Sequence, residues 1–137
     1  MVMVQKSTMN QLANSQNPFQ GKAKRVLCIC SAGLLRSPTA ALVLHKEFGY
    51  NTRSAGIGDS ALVSVSQALI RWAEEIVCME DFHKQLLLTQ AKNLLTESEF
   101  QRLEGIIKVL SIPDQFEFMD SELQQLIIKA YKEVSIE

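Results

Sequence analysis

Cys30 and Arg36 enclose the five residues Ser31, Ala32, Gly33, Leu34 and Leu35, and Ser37 and Pro38 follow at once. A thiol and a guanidinium at that separation can do oxyanion chemistry: the sulfur supplies a nucleophile, and the planar fork grips two oxygens of a tetrahedral anion. The bare spacing is common by chance, but its placement is not. RVLCIC, residues 25–30, reads as a buried strand, and Ser37 with Pro38 reads as the opening of a helix. A short loop between the two can turn the backbone N–H groups of Ser31, Ala32, Gly33, Leu34, Leu35 and Arg36 inward as a nest for a phosphate-sized dianion. Gly33 and Ala32 let the backbone curl without clashes. Cys30 at the floor of that nest sits in a positive potential that favours a negatively charged sulfur. Ser37 completes the expected phosphate-binding set; its hydroxyl can serve the sulfur or cap the helix, and both roles stand open. Cys28 and Cys78 lie inside apolar runs with no cation beside them and read as small buried hydrophobes.

The elements that must position this loop alternate short apolar runs with helical patterns, the signature of βαβ units around a parallel sheet. After the first strand, the helix TAALVLHKEF stops at Gly49, and NTRSAGI, residues 51–57, makes a second strand. VSVSQALIRWA reads as a helix capped by Ser64 or Ser66. EIVCM, residues 75–79, is the third strand, and Asp81 is the expected cap of the helix FHKQLLLTQ. Thr96 and Glu99 form a capping box for a further short helix. IIKVLSI, residues 106–112, is the fourth strand, followed by the loop PDQFEFMD and a closing helix with Leu123, Leu126, Ile127 and Tyr131 on one face. The expected fold class is α/β, a three-layer sandwich with a four-stranded parallel sheet in the flavodoxin-like order 2-1-3-4. In such sheets ligands bind beyond the carboxyl ends of the strands, so Cys30 and Asp114 are expected to share one crevice.

Composition narrows the partners. The chain has 137 residues, 14 Lys and Arg against 15 Asp and Glu, and a net charge of -1. That balance supplies no broad field for nucleic acid or an anionic membrane, so an anion must be held by a local site. No apolar run approaches a membrane span, and the N-terminus lacks the apolar core of a secretory signal, which predicts a cytoplasmic protein. Cys28 and Cys30 lie about 6.5–7 Å apart along an extended strand, too far for a relaxed disulfide. Residues 1–22 are rich in Gln, Asn, Ser and Lys without a sustained hydrophobic period and read as a flexible extension; residues 23–137 read as one domain. His45 and His83 fall in predicted helices among charged residues, and no cluster has metal-ligand spacing, so neither receives a role and no metal or cofactor is expected.

VLCICSAGLLRSPTA, with SAGI after the second strand, EIVCMED on the third and IPDQFEFM after the fourth, resembles the low-molecular-weight protein tyrosine phosphatases, and their compact single-domain members most. The resemblance runs from about residue 24 to the C-terminus. It implies that Cys30 attacks phosphorus, Arg36 stabilises the transition state and Asp114 protonates the leaving group, with a phosphocysteine intermediate and a phosphorylated protein or small aryl phosphate as substrate. The sequence departs from the family at three places. Gly33 stands where the family carries a loop-supporting Asn, leaving Ser54 as the candidate support; Leu35 replaces a second loop cysteine; Gln115 follows Asp114 where the family has proline. Asp120 is the runner-up acid, although its position suits a helix cap. Leu34 at the rim suits an aromatic ring better than a phosphoguanidinium group, and Phe116 is a second candidate for the substrate wall, with core packing as its alternative.

Two other readings compete. One is an arsenate reductase on the same fold, which needs a resolving thiol. The other is a non-catalytic phosphate-binding module that recognises a phosphorylated partner.

Overall fold

The first strand, β1 (Arg25–Cys30), is apolar and buried from Val26 onward because both of its faces are covered. The computed structural model of the chain describes residues 22–31, 36–58 and 65–135, so the expected extension, but for Lys22, lies outside it. Helix α1 (Arg36–Phe48) leads to strand β2 (Asn51–Gly56), and helix α2 (Gln67–Trp72) precedes strand β3 (Glu75–Cys78). Helices α3 (Asp81–Ala91) and α4 (Glu97–Ile106), strand β4 (Ile107–Val109) and helix α5 (Ser121–Val134) complete the chain. The sheet has the order β2-β1-β3-β4 and every pairing is parallel, as the alternating pattern predicts.

Alternation along β1 divides the core. Val26, Cys28 and Cys30 face Leu44 of α1 and Leu123, Ile127 and Tyr131 of α5. Leu27 and Ile29 face the other layer, with Ile70 of α2, Leu87 and Ala91 of α3, and Leu103 of α4. A fully buried side chain such as Leu27 or Ile127 contributes about 1.5–3 kcal/mol relative to an exposed one.

Helix boundaries follow the local chemistry. Gly49 has φ 72° and returns its N–H to the His45 carbonyl at 2.8 Å, a left-handed stop that costs glycine nothing. Ser66, rather than Ser64, caps α2 by accepting the Leu69 N–H, and Thr96 and Glu99 form the expected capping box of α4. Asp120 caps α5 by accepting from the N–H groups of Glu122 and Leu123.

Several boundaries differ from the sequence reading, among them the end of β2 at Gly56, one residue early, and the short span of α2. Helix α1 begins at Arg36, which places Ser37 inside the first turn with its hydroxyl turned to Cys30. Glu80, not Asp81, is the N-cap residue of α3. β3 ends at Cys78, one residue early. β4 covers only residues 107–109, because Ser111 takes a left-handed φ of 58° that breaks the ladder; Leu110 and Ile112 still donate their N–H groups to the Cys78 and Met79 carbonyls.

Candidate active site

Cys30 is the last residue of β1, so its sulfur emerges at the carboxyl edge of the sheet. Cys30 Sγ lies 3.1 Å from Ser37 Oγ, and that hydroxyl also lies 3.4 Å from the Ala55 carbonyl. The hydroxyl has one proton to give. A negative sulfur draws it as a charge-assisted hydrogen bond, and a protonated sulfur leaves it to the carbonyl. Ala32, Gly33, Leu34 and Leu35, the middle of the expected nest, lie outside the described residues.

The loop is fastened at its start. Ile57 N–H donates to the Cys30 carbonyl at 2.9 Å, and Gly58 N–H donates to the Ser31 carbonyl at 2.8 Å. A Cβ on Gly58 would stand 2.9 Å from that carbonyl oxygen, so only glycine permits this approach. The Ser31 hydroxyl meets His83 Nε2 at 3.0 Å.

Arg36 is held as firmly at the other end. Its side chain is 2% exposed, and Nη1 donates to Glu80 Oε2 and to the Ile112 carbonyl, each at 2.7 Å. Two acceptors on one nitrogen fix the plane of the guanidinium. Asp114 Oδ1 stands 3.7 Å from Arg36 Nε, and the Asp114 side chain is 66% exposed. Asp114 therefore reaches the arginine from the loop after β4 while keeping access to water. That loop is pinned to α1 at its far end, where Met119 N–H donates to Thr39 Oγ1 at 2.8 Å.

The structure brings Cys30, Ser31, Arg36, Ser37 and Asp114 to one edge of the sheet. Phe116 differs: it is 8% exposed and packs in the core cluster with Leu110, Ile112 and Leu123, because an apolar ring gains more from that layer than from a solvent rim. Ser54 is buried in β2, level with Cys28.

Two residues without a predicted role join the site. Glu80 anchors Arg36, and His83 is fully buried against Ser31. Burial, and after it the Arg36 charge, pushes the His83 imidazole down to about 4. The sequence held one signal for His83: it shares a helical face with Leu87 and Ala91, the other buried residues of α3. Burial also raises the Cys28 thiol, and pushes the Cys78 thiol up to about 12, which fits their reading as core residues. Among the described residues, no group of three or more His, Cys, Asp and Glu is placed to hold a metal ion.

No protein-family model matches the chain, and no curated protein matches it by sequence. Solved structures do. Wzb from Vibrio vulnificus, in complex with benzylphosphonate, superposes with a TM-score of 0.61 at 21% identity over 81% of this chain and 96% of that one. The YwlE arginine phosphatase from Geobacillus stearothermophilus gives 0.57 at 19% identity over 80% and 92% of the two chains. A low-molecular-weight phosphotyrosine phosphatase from Vibrio cholerae O395 gives 0.52 at 20% identity over 82% and 99%. The four-stranded sheet in order 2-1-3-4 and its helices thus form the fold of the low-molecular-weight protein tyrosine phosphatases.

Proposed function

We propose that the chain is a metal-independent phosphomonoester hydrolase in which Cys30 is the nucleophile. One observation carries this reading: Cys30 Sγ lies 3.1 Å from Ser37 Oγ at the start of a helix whose first residue, Arg36, is locked in place beside Asp114. In the first step a Cys30 Sγ–phosphorus bond forms as the phosphorus–oxygen bond to the leaving group breaks. The leaving oxygen takes its proton from Asp114. In the second step water attacks phosphorus and gives a proton to the Asp114 carboxylate, and the sulfur departs as a thiolate stabilised by the Ser37 hydroxyl. Arg36, Ser37 and the N–H groups of residues 31–36 hold the phosphoryl oxygens as charge moves onto them.

The substrate class is phosphotyrosine, in a protein or a small aryl phosphate. The structures with this fold include a tyrosine phosphatase, Wzb from Escherichia coli K30, and the YwlE arginine phosphatase; Leu34 favours the aromatic substrate, because its side chain offers a guanidinium no polar partner. An arsenate-reducing relay has poor support. Cys78 pairs with Ile29 and packs on the face of the sheet opposite Cys30, and Cys28 lies two residues from Cys30 along the same strand, so neither thiol is placed to resolve a bond at Cys30. Among the described residues no helix is long and apolar enough to cross a membrane. A thiol nucleophile favours a reducing compartment, the cytoplasm.

The test is hydrolysis of an aryl phosphate and of phosphotyrosine and phosphoarginine in chelator-treated buffer, by the wild type and by Cys30→Ser. Release of phosphate by the wild type, fastest from phosphotyrosine, and its loss in Cys30→Ser are expected. Equal rates for the two proteins would overturn the mechanism. A wild type that binds phosphate and hydrolyses nothing would establish a binding module instead.

A further inference from the structure

Three separate elements converge on Ser31, the first residue after the proposed nucleophile. The strand end of β1 delivers it, Gly58 after β2 holds its carbonyl at 2.8 Å, and His83 on α3 holds its hydroxyl at 3.0 Å. The imidazole is fully buried, and its two nitrogens are both committed. Glu80 N–H donates to His83 Nδ1 at 3.0 Å, and a backbone amide can only donate, so Nδ1 carries no proton. The neutral ring then carries its proton on Nε2, and Ser31 Oγ accepts it. This tautomer cannot take a proton from Ser31, so the pair is not a hydrolytic Ser–His dyad. It is a fixed strut from the N-terminus of α3 to the nucleophile loop.

Glu80 links the same strut to the arginine. Its backbone N–H sets the His83 ring, and its carboxylate anchors Arg36 Nη1 at 2.7 Å. The two ends of the loop, Ser31 and Arg36, are thereby tied to one turn of one helix.

We propose that His83 is a positioning residue for the proposed nucleophile, acting through the Ser31 hydroxyl to hold the chain at Ser31, and with it Cys30, in place against Arg36 for phosphate binding. This rests on the phosphatase reading. A loop displaced by even about 1 Å loses aim at the transition state, a loss that reaches about 100-fold in rate.

The experiment is a cycle of Ser31→Ala, His83→Ala and the double variant, with Ser31→Thr as the conservative control. Hydrolysis of an aryl phosphate gives kcat and KM, and protection of Cys30 from alkylation by inorganic phosphate gives the affinity of the nest. Ser31→Ala and His83→Ala should each lower kcat by about 10- to 100-fold and weaken phosphate protection, with the double variant no worse than either. Ser31→Thr keeps the acceptor and should lose clearly less kcat and phosphate protection than Ser31→Ala. Ring nitrogen chemical shifts of the wild type should show Nδ1 unprotonated and Nε2 protonated.

Should His83→Ala fail to fold, Ser31→Ala still decides, since it removes only a hydroxyl. Ser31→Ala with wild-type kcat and phosphate affinity would overturn the proposal, and so would losses that multiply in the double variant. A wild type that neither hydrolyses aryl phosphate nor binds phosphate would remove the phosphatase reading along with it. An active wild type with unaffected variants would remove the role of His83 alone.

Discussion

The Ser37 hydroxyl touches the sulfur that must leave phosphorus in the second step of the proposed cycle, 3.1 Å away. A hydrogen bond to a charged group contributes about 1.5–3 kcal/mol. Ser37→Ala should therefore slow breakdown of the phosphocysteine by about 10- to 100-fold while attack on substrate proceeds, and rapid-mixing kinetics should show a burst of phenol release followed by a slow phase. Equal slowing of both phases would place Ser37 in the loop scaffold instead. Cys30, Arg36 and Ser37 were legible because they are neighbours in the chain, and one strand–loop–helix segment determines their geometry. His83 was not: its partner Ser31 lies 52 positions away, and its neighbours Asp81 and Lys84 made its helix look solvated. Only the fold turns it inward.

Two aspartates stand at the ends of one loop, the proposed acid Asp114 and the helix cap Asp120. Asp114 stands 3.7 Å from Arg36 Nε with most of its side chain in water, whereas Asp120 is bound to the first turn of α5 through the N–H groups of Glu122 and Leu123. Asp120→Ala should lower stability by about 1 kcal/mol, read as a shift of the denaturant midpoint, and leave kcat within about twofold. Asp114→Asn should do the opposite: keep the midpoint and lower kcat, most for substrates with poor leaving groups, by about 10²- to 10⁴-fold. If the kinetic loss follows Asp120 instead, the acid has been misassigned. The order of the strands was readable from the alternation of apolar runs and helices, because parallel pairing with right-handed crossovers leaves few arrangements. The length of β4 was not. LSI is as apolar as the strand before it, and nothing in that composition announces the left-handed Ser111 that turns the chain toward Arg36.

The sheet carries the proposed reactive groups at one edge and an ionic cluster around the buried Glu75 at the other. Glu75 opens β3 opposite Val26, nearly buried, and accepts from Tyr131 Oη at 2.6 Å, from Lys24 at 3.0 Å and from Lys108 at 2.8 Å. One carboxylate thus joins the lead into β1, the strands β3 and β4, and the last helix. Burial pushes this carboxyl up, and the hydrogen bonds from Lys108, Tyr131 and Lys24, with the Lys24 charge, outweigh it and hold the carboxyl below its ordinary range. A carboxyl whose folded value is depressed gives stability that is present above its unfolded value and lost as the pH falls through the folded one. Replacing Glu75 with Gln should therefore cost most at neutral pH, and the gap in denaturant midpoint between Glu75→Gln and the wild type should narrow below about pH 4. Tyr131→Phe removes one donor from a buried charge and should cost about 1–3 kcal/mol at pH 7. Because the cluster lies at the edge of the sheet opposite Cys30, both variants should keep the wild-type kcat at temperatures where they remain folded. A kcat that falls with the midpoint in either variant would mean that the two edges of the sheet are coupled, and that the Glu75 cluster helps to hold the proposed nucleophile in place.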